Sequence, residues 1–312
     1  MEPSGKELAF VVGHYKAGST WLLRLLCLHP QIRGLAETHI FHHVQRSPDL
    51  DACSEILFEG GVPWSAGGQR RWVMHRVERL GAWLLRPHAR IPGRDRPSTL
   101  LDMGYLAGLG LRRELARADE AAAYVRTFFA HVHGRLKPPA YLLEKTPRNI
   151  RYVPFIREIF PQAKLLAMYR DGRDVCVSDR FFRARRGEDW SLEASAQRWH
   201  DDMVAQGHYG RDYGLYAISY ESLHEDPQPV VTGVLEFLGL DAERALVKRL
   251  VERASFESTT GRKRGAEQRK SFNRKGVVGD WHNHFSDGDR ETFKRVANAS
   301  LLSLGYEEDP DW

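Results

Sequence analysis

Three stretches of this chain carry cations, hydroxyls and glycines at spacings that can hold an anion. The first is Gly13-His14-Tyr15-Lys16-Ala17-Gly18-Ser19-Thr20-Trp21. Lys16 brings a positive charge, Gly18 lets the backbone come close, and Ser19 and Thr20 offer hydroxyl donors. The second runs from Tyr169 to Ser178 and pairs Arg170 with a hydroxyl eight residues on. A forked guanidinium and a single hydroxyl can meet one phosphate. The third is Arg274-Lys275-Gly276-Val277-Val278-Gly279-Asp280-Trp281, which ends a basic stretch holding Arg262, Lys263, Arg264, Arg269 and Lys270. Each has a plain structural alternative: a strand-to-helix turn, an Arg170–Asp174 surface ion pair, and a solvated loop.

These residues need a scaffold that brings them together. Leu8 to Val12 is a short apolar run ended by Gly13, which predicts a buried parallel strand. Helical character follows from Trp21 to Leu28 and stops at His29-Pro30. Strands are predicted at Tyr141 to Glu144, Lys164 to Tyr169 and Leu215 to Ser219. Helices are predicted from Asn149 to Phe160, from Arg173, and over Ser191 to Tyr209, Gln228 to Leu238 and Glu243 to Arg253. Strands alternating with helices imply an α/β fold with a parallel sheet covered on both faces. Ligands then gather beyond the carboxyl ends of the strands, where the first loop meets a helix N-terminus.

Residues 45–140 are less regular, with turns at Gly60-Gly61, Gly67-Gly68 and Pro92-Gly93 and a long helix expected from Arg112 to Arg135. They read as a helical cover on the acceptor side, with Trp64, Trp72 and Trp83 packed in it. No repeat or long linker interrupts residues 1–312, so a single domain is expected.

The strings resemble those of PAPS-dependent sulfotransferases, where PAPS is 3′-phosphoadenosine 5′-phosphosulfate. The likeness runs from residue 8 to about residue 306 and is weakest between residues 45 and 140. It implies a P-loop-like fold and transfer of a sulfuryl group to an acceptor hydroxyl. It assigns Lys16, Ala17, Gly18, Ser19, Thr20 and Trp21 to the phosphosulfate loop. It assigns Arg170, Ser178, Arg274 and the Gly276 N–H to the 3′-phosphate, with Lys275 assisting. Tyr220 and Phe256 fall at adenine-contact positions, and Ala254 stands where the family often has threonine. The RKGxxGDW string at Arg274 is of the cytosolic type. Glu144-Lys145-Thr146-Pro147 instead resembles the glycosaminoglycan-type branch, and Lys145 is assigned to the transferring group. The small-molecule enzymes carry a histidine base after the Lys-Thr pair, and here Pro147 occupies that place.

The glycosaminoglycan and tyrosyl-protein branches use a glutamate just after the first helix. His29 to Thr38 fits that arrangement, which makes Glu37 the expected general base, with His39 or His42 as the alternative. His39, His42 and His43 lack a matching carboxylate pattern, so no metal site is expected. A nucleotide-dependent kinase would need a Walker-type lysine directly before the Ser/Thr, whereas Lys16 lies two residues before Gly18. A non-catalytic nucleotide binder is the third class.

Composition bounds the rest. Lys plus Arg total 46 against 41 Asp plus Glu, a net charge of +5. That mild surplus suits a small polyanion better than a nucleic acid. Cys27, Cys53 and Cys176 show no CxxC or metal-type spacing and read as free thiols of a reducing compartment. Without a signal-peptide pattern or a membrane span, a cytoplasmic protein is expected. Phenol, sugar, lipid alcohol, peptide tyrosine and amine acceptors all stay open.

Overall fold

A computed structural model of the chain describes residues 7–59, 100–101, 110–134, 136, 141–269, 271 and 273–312. Trp64, Trp72, Trp83 and Lys270 lie outside them.

The apolar run after the N-terminus forms β1 (Leu8–Gly13), buried along its whole length. It sits inside a six-stranded sheet of order β3-β2-β4-β1-β5-β6. The other strands are β2 (Ile32–Ala36), β3 (Leu100–Leu101), β4 (Tyr141–Lys145), β5 (Lys164–Tyr169) and β6 (Tyr216–Ser219). Every pairing is parallel. Register brings the carboxyl ends level: Val11 and Ala36 both pair with Lys145, Gly13 with Met168, and Tyr169 with Ser219. The segments that follow these strands therefore leave the sheet along one edge.

Side chains alternate across the strands. Phe10, Val12, Leu142 and Leu165 face a core closed by α2 (Ile40–Arg46), α3 (Leu50–Glu59), α4 (Leu111–Leu115), α5 (Ala121–His133) and α6 (Val153–Ile159). Val11, Leu143, Leu166 and Met168 face α1 (Ser19–Leu26), and in the same core lie side chains of helices from the second half of the chain. A third core surrounds Trp199, between α7 (Gly172–Ala184), α8 (Leu192–Tyr213) and a C-terminal helix. The helices that complete the two latter cores are α9 (Tyr220–Glu225), α10 (Pro227–Leu238), α11 (Arg244–Arg253) and α13 (Asp287–Ser303). The short α12 (Phe256–Thr260) follows α11. All three cysteines are free and buried.

Three expectations need correction. The single helix from Arg112 to Arg135 is two helices, α4 and α5. Leu115 and Tyr124 are both buried, and residues about nine apart would lie on opposite faces of one helix. The break turns both toward the core. The helix from Asn149 is a 3₁₀ segment (Pro147–Tyr152) followed by α6. Pro154 sits at the start of α6, where its missing N–H costs nothing. The 45–140 cover also contains a strand, β3.

β1 and β5 meet tightly at Gly13. Its φ is +129°, and a Cβ there would lie 2.1 Å from the Met168 carbonyl oxygen. Gly13→Ala should therefore destabilise the chain by more than about 1 kcal/mol, read as a lowered urea midpoint.

Candidate active site

The loop after β1 turns back through Ala17 N–H, which donates to the His14 carbonyl at 3.4 Å. Gly18 then starts α1 with φ 92°. The Ser19 and Thr20 N–H groups belong to the first turn of α1, whose N–H groups have no intrahelical acceptor. A Cβ at Gly18 would lie 2.5 Å from the Tyr220 ring, so only glycine lets α9 pack against the loop. Lys16 holds a left-handed φ of 68°, a conformation that costs a non-glycine residue about 1 kcal/mol or more. Its ammonium rests 3.4 Å from the centroid of the Phe182 ring on α7. Burial and the neighbouring Arg185 guanidinium push it down to about 7.

Arg170 follows β5 and is nearly buried. Its guanidinium donates to Asp174 Oδ2 and to the Val277 carbonyl, each at 2.9 Å. It stacks 4.1 Å from the centroid of the Tyr220 ring. Its buried Nε has no partner in the protein. The Arg170–Asp174 ion pair thus forms, but inside the protein rather than on its surface. Asp174 also accepts from the Gly279 and Trp281 N–H groups, both at 2.9 Å. One buried carboxylate therefore ties the third stretch to the second.

Asp280 plays the matching part within the third stretch. It accepts from Lys275 at 2.6 Å, from Arg274, and from Asn283 at 3.1 Å. Burial favours its neutral form, but the hydrogen bonds from Lys275 and Arg274 prevail and hold it well below the usual carboxylate range. Gly276 has φ +67°, and a Cβ there would lie 2.5 Å from the Phe256 ring.

Opposite these groups stands Glu37. Its N–H donates to the Lys145 carbonyl at 2.8 Å. Lys145 returns the contact with its ammonium, which donates to Glu37 Oε1 and, at 3.3 Å, to Thr20 Oγ1. Burial works against the Glu37 charge, but the Lys145 charge and hydrogen bond hold its carboxyl below the ordinary value. His42 donates to or accepts from Tyr152 at 2.6 Å, and burial lowers both His42 and His43 to about 4.

These elements enclose one cavity of about 430 Å³. Among the described residues, seven cationic side chains line it (Lys16, Arg24, Arg170, Arg186, Arg264, Arg274 and Lys275) against the carboxylates of Glu37, Asp174 and Asp280. Gly18, Ser19, Thr20, Trp21, Ser178, Tyr220, Phe256 and Gly276 complete the expected residues on its wall. Ala17 is fully buried in the core and is not on that wall. Lys145 also lies behind it, reaching the cavity through Glu37 and Thr20.

The sequence matches the model of the sulfotransferase family over residues 9–244. The chain belongs to that family. Human sulfotransferase 2A1 is 25% identical over 178 residues, which are 48% of this chain and 62% of that protein. Human sulfotransferase 1C2 is 27% identical over 108 residues, 31% of this chain and 36% of that protein. The match thus spans less than two thirds of either relative. Mouse sulfotransferase SULT7A1, solved with PAP, superposes with a TM-score of 0.55 at 16% identity, over 96% of this chain and 87% of its own. The sulfotransferase domain of the Synechococcus PCC 7002 olefin synthase gives 0.53 at 18% identity, over 95% and 97%. At these identities the likeness establishes the P-loop-like sulfotransferase fold.

Several wall residues of this family member carried no clear signal in the sequence. Asp280 and Phe182 lie inside or beside quoted strings, and their neighbours' charges were the available signal. Arg24 and His224 face the cavity from α1 and α9 and carried no signal beyond helical position. Trp21 donates its indole N–H to the Ala254 carbonyl at 2.9 Å, which leaves only a methyl group on the wall there. Among the described residues no group of His, Cys, Asp or Glu is arranged to hold a metal ion. Among them, too, no helix is long and apolar enough to cross a membrane.

Asp174→Ala would leave a buried guanidinium and two N–H groups without their acceptor. It should lower the unfolding free energy by about 3 kcal/mol or more, measured in urea.

Proposed function

We propose that this chain moves a sulfuryl group from PAPS to an acceptor hydroxyl, releasing 3′-phosphoadenosine 5′-phosphate (PAP), with Glu37 as general base. The observation that carries this reading is the convergence of Lys16, Arg170 and Arg274 on one cavity whose wall also holds Glu37. The excess of cations over carboxylates there suits a ligand with several negative charges. The partnerless Arg170 Nε is a buried donor suited to a ligand oxygen. Mouse SULT7A1, of the same fold, is known in complex with PAP.

In this reading Lys16, Ser19 and Thr20, with the backbone of Ala17 and Gly18, hold the 5′ end of the nucleotide. Arg170, Ser178, Arg274 and the Gly276 N–H hold the 3′-phosphate, with Lys275 adding charge. Trp21, Tyr220 and Phe256 form the walls for adenine. PAPS supplies a sulfuryl group already activated by its bridge to a phosphate. The Lys16 ammonium stabilises charge that grows on the leaving oxygen. Lys145, now bonded to Glu37, turns to the transferring group. Its departure raises the basicity of Glu37, which takes the acceptor proton. The acceptor is a small molecule, glycan or peptide bearing a phenol, sugar, alcohol or tyrosyl hydroxyl.

A labelled-PAPS screen over phenols, sugars, alcohols and tyrosyl peptides tests the activity. A parallel arm with ATP and magnesium should show no transfer; transfer there alone would make the chain a kinase. Glu37→Gln should keep its affinity for PAP and lose on the order of a hundredfold or more in turnover. Near-normal turnover would remove Glu37 from the chemistry.

Lys16 predicts a pH dependence. Its ligand-free ammonium titrates near 7, and an anion favours the charged form. Binding above that pH therefore takes up a proton, and affinity for PAP should fall by up to about tenfold per pH unit. Calorimetry between pH 6 and 9 reads the slope, which Lys16→Met should flatten while weakening binding at pH 6.

A further inference from the structure

Glu144 is a fully buried carboxylate with no place in the transfer scheme. It lies on β4 directly before Lys145, so the two side chains point to opposite faces of the sheet. Lys145 reaches Glu37 on one face. On the other, Glu144 reaches the next residue of the same loop. Its Oε1 accepts from Thr38 Oγ1 at 3.0 Å and from Thr38 N–H at 3.3 Å. It also accepts from Thr146 Oγ1 at 2.5 Å, while Oε2 accepts from Asn149 at 3.0 Å.

The loop needs such a grip. Glu37 and His39 both hold left-handed backbone, with φ 43° and 52°. Non-glycine residues keep that conformation only where their surroundings impose it. Hydrogen bonds from β4 and the turn after it hold the segment. Thr38 is bonded to Glu144, the His39 N–H donates to Thr146 Oγ1 at 3.4 Å, and the Ile40 N–H donates to Thr38 Oγ1 at 3.3 Å. Thr38, Thr146 and Asn149 are themselves buried. Three donors converge on one oxygen, which suits a group that only accepts.

We infer that Glu144 is a positioning residue, whose carboxylate clamps Thr38 and thereby holds Glu37 in its left-handed conformation facing the cavity. The clamp acts on the loop that carries the base and not on the nucleotide-binding stretches, the first two of which leave the sheet at β1 and β5. Burial pushes Glu144 up to about 7, while the hydrogen bonds from Thr146 and Thr38 favour the carboxylate. A glutamine keeps an accepting oxygen for Thr38 and Thr146. Asn149 Oδ1 is buried without a partner, and half a turn of its amide would present that oxygen to a glutamine N–H.

This inference rests on Glu37 being the base, and the test separates the two ideas. Glu144→Ala, Glu144→Gln and Thr38→Val are compared in the full chain by backbone hydrogen exchange, PAP calorimetry and PAPS turnover with a simple phenol. Glu144→Ala should speed amide exchange at Thr38 to Ile40 by at least about tenfold. It should cut kcat by at least about tenfold while PAP affinity stays within about twofold. Glu144→Gln should restore both exchange protection and kcat. Should the alanine variant fail to fold, Thr38→Val must reproduce the exchange and kcat losses in part. Unchanged exchange at residues 38–40 in every folded variant overturns the clamp, whatever Glu37 does. If exchange changes as expected while Glu37→Gln stays fully active, the clamp stands and the assignment of the base fails.

Discussion

Repulsion between like charges sets the terms for this structure. Seven cations facing a cavity of about 430 Å³ would drive one another apart if the protein offered nothing in return. It offers carboxylates set behind them. Asp174 holds Arg170 and the backbone of the third stretch. Asp280 holds Arg274 and Lys275. Glu37 holds Lys145. Those carboxylates aim Arg170, Arg274, Lys275 and Lys145 while offsetting their charge. Lys16 rests on an aromatic ring beside Arg185 and Arg186, and its ammonium is pushed toward neutrality by burial and by those neighbours.

Much of the fold was legible because parallel strands read as continuous apolar runs. Leu8 to Val12 and Lys164 to Tyr169 announce themselves in this way, and both are strands, the first extended by one residue to Gly13. Ile32–Ala36 does not, since Arg33 and Gly34 interrupt it; its pairing with β4 and β3 makes it a strand. The α4–α5 break was hidden for the opposite reason. Residues 112–135 have strong local helical propensity, and the tertiary need to bury both Leu115 and Tyr124 overrides it. The helix α13 went unread although Ser286 and Asp289 form a capping box, a signal present in the sequence.

The site divides along a similar line. Loops whose chemistry is contiguous were readable: Lys16 to Trp21 and Arg274 to Gly276 each carry their own charge, glycine and donors. What joins them was not. Asp174 meets Gly279 and Trp281 across more than a hundred positions, and no local pattern reports such a contact. The Arg170–Asp174 pair looked like a rival to a binding role because the two residues lie four apart in the sequence. Burial makes it part of the scaffold instead, since a guanidinium held by one carboxylate still has an Nε to offer. Ala17 adds no side chain to the wall, since its methyl packs into the core.

The replacement of a histidine by Pro147 after the Lys-Thr pair has a physical consequence. A base at that position would sit on β4's own exit, whereas Glu37 reaches the cavity from the neighbouring strand β2. A carboxylate there can pair with Lys145, and the pair adds no net charge to a site already rich in cations. An imidazole could accept a proton but could not offset the lysine beforehand. With Glu37 as the proposed base, the loop after β2 must be held in strained backbone, and its pairing with Lys145 would set the strength of that base. The strain at Glu37 and the charge balance at Lys145 are two sides of one arrangement, built on consecutive residues of β4.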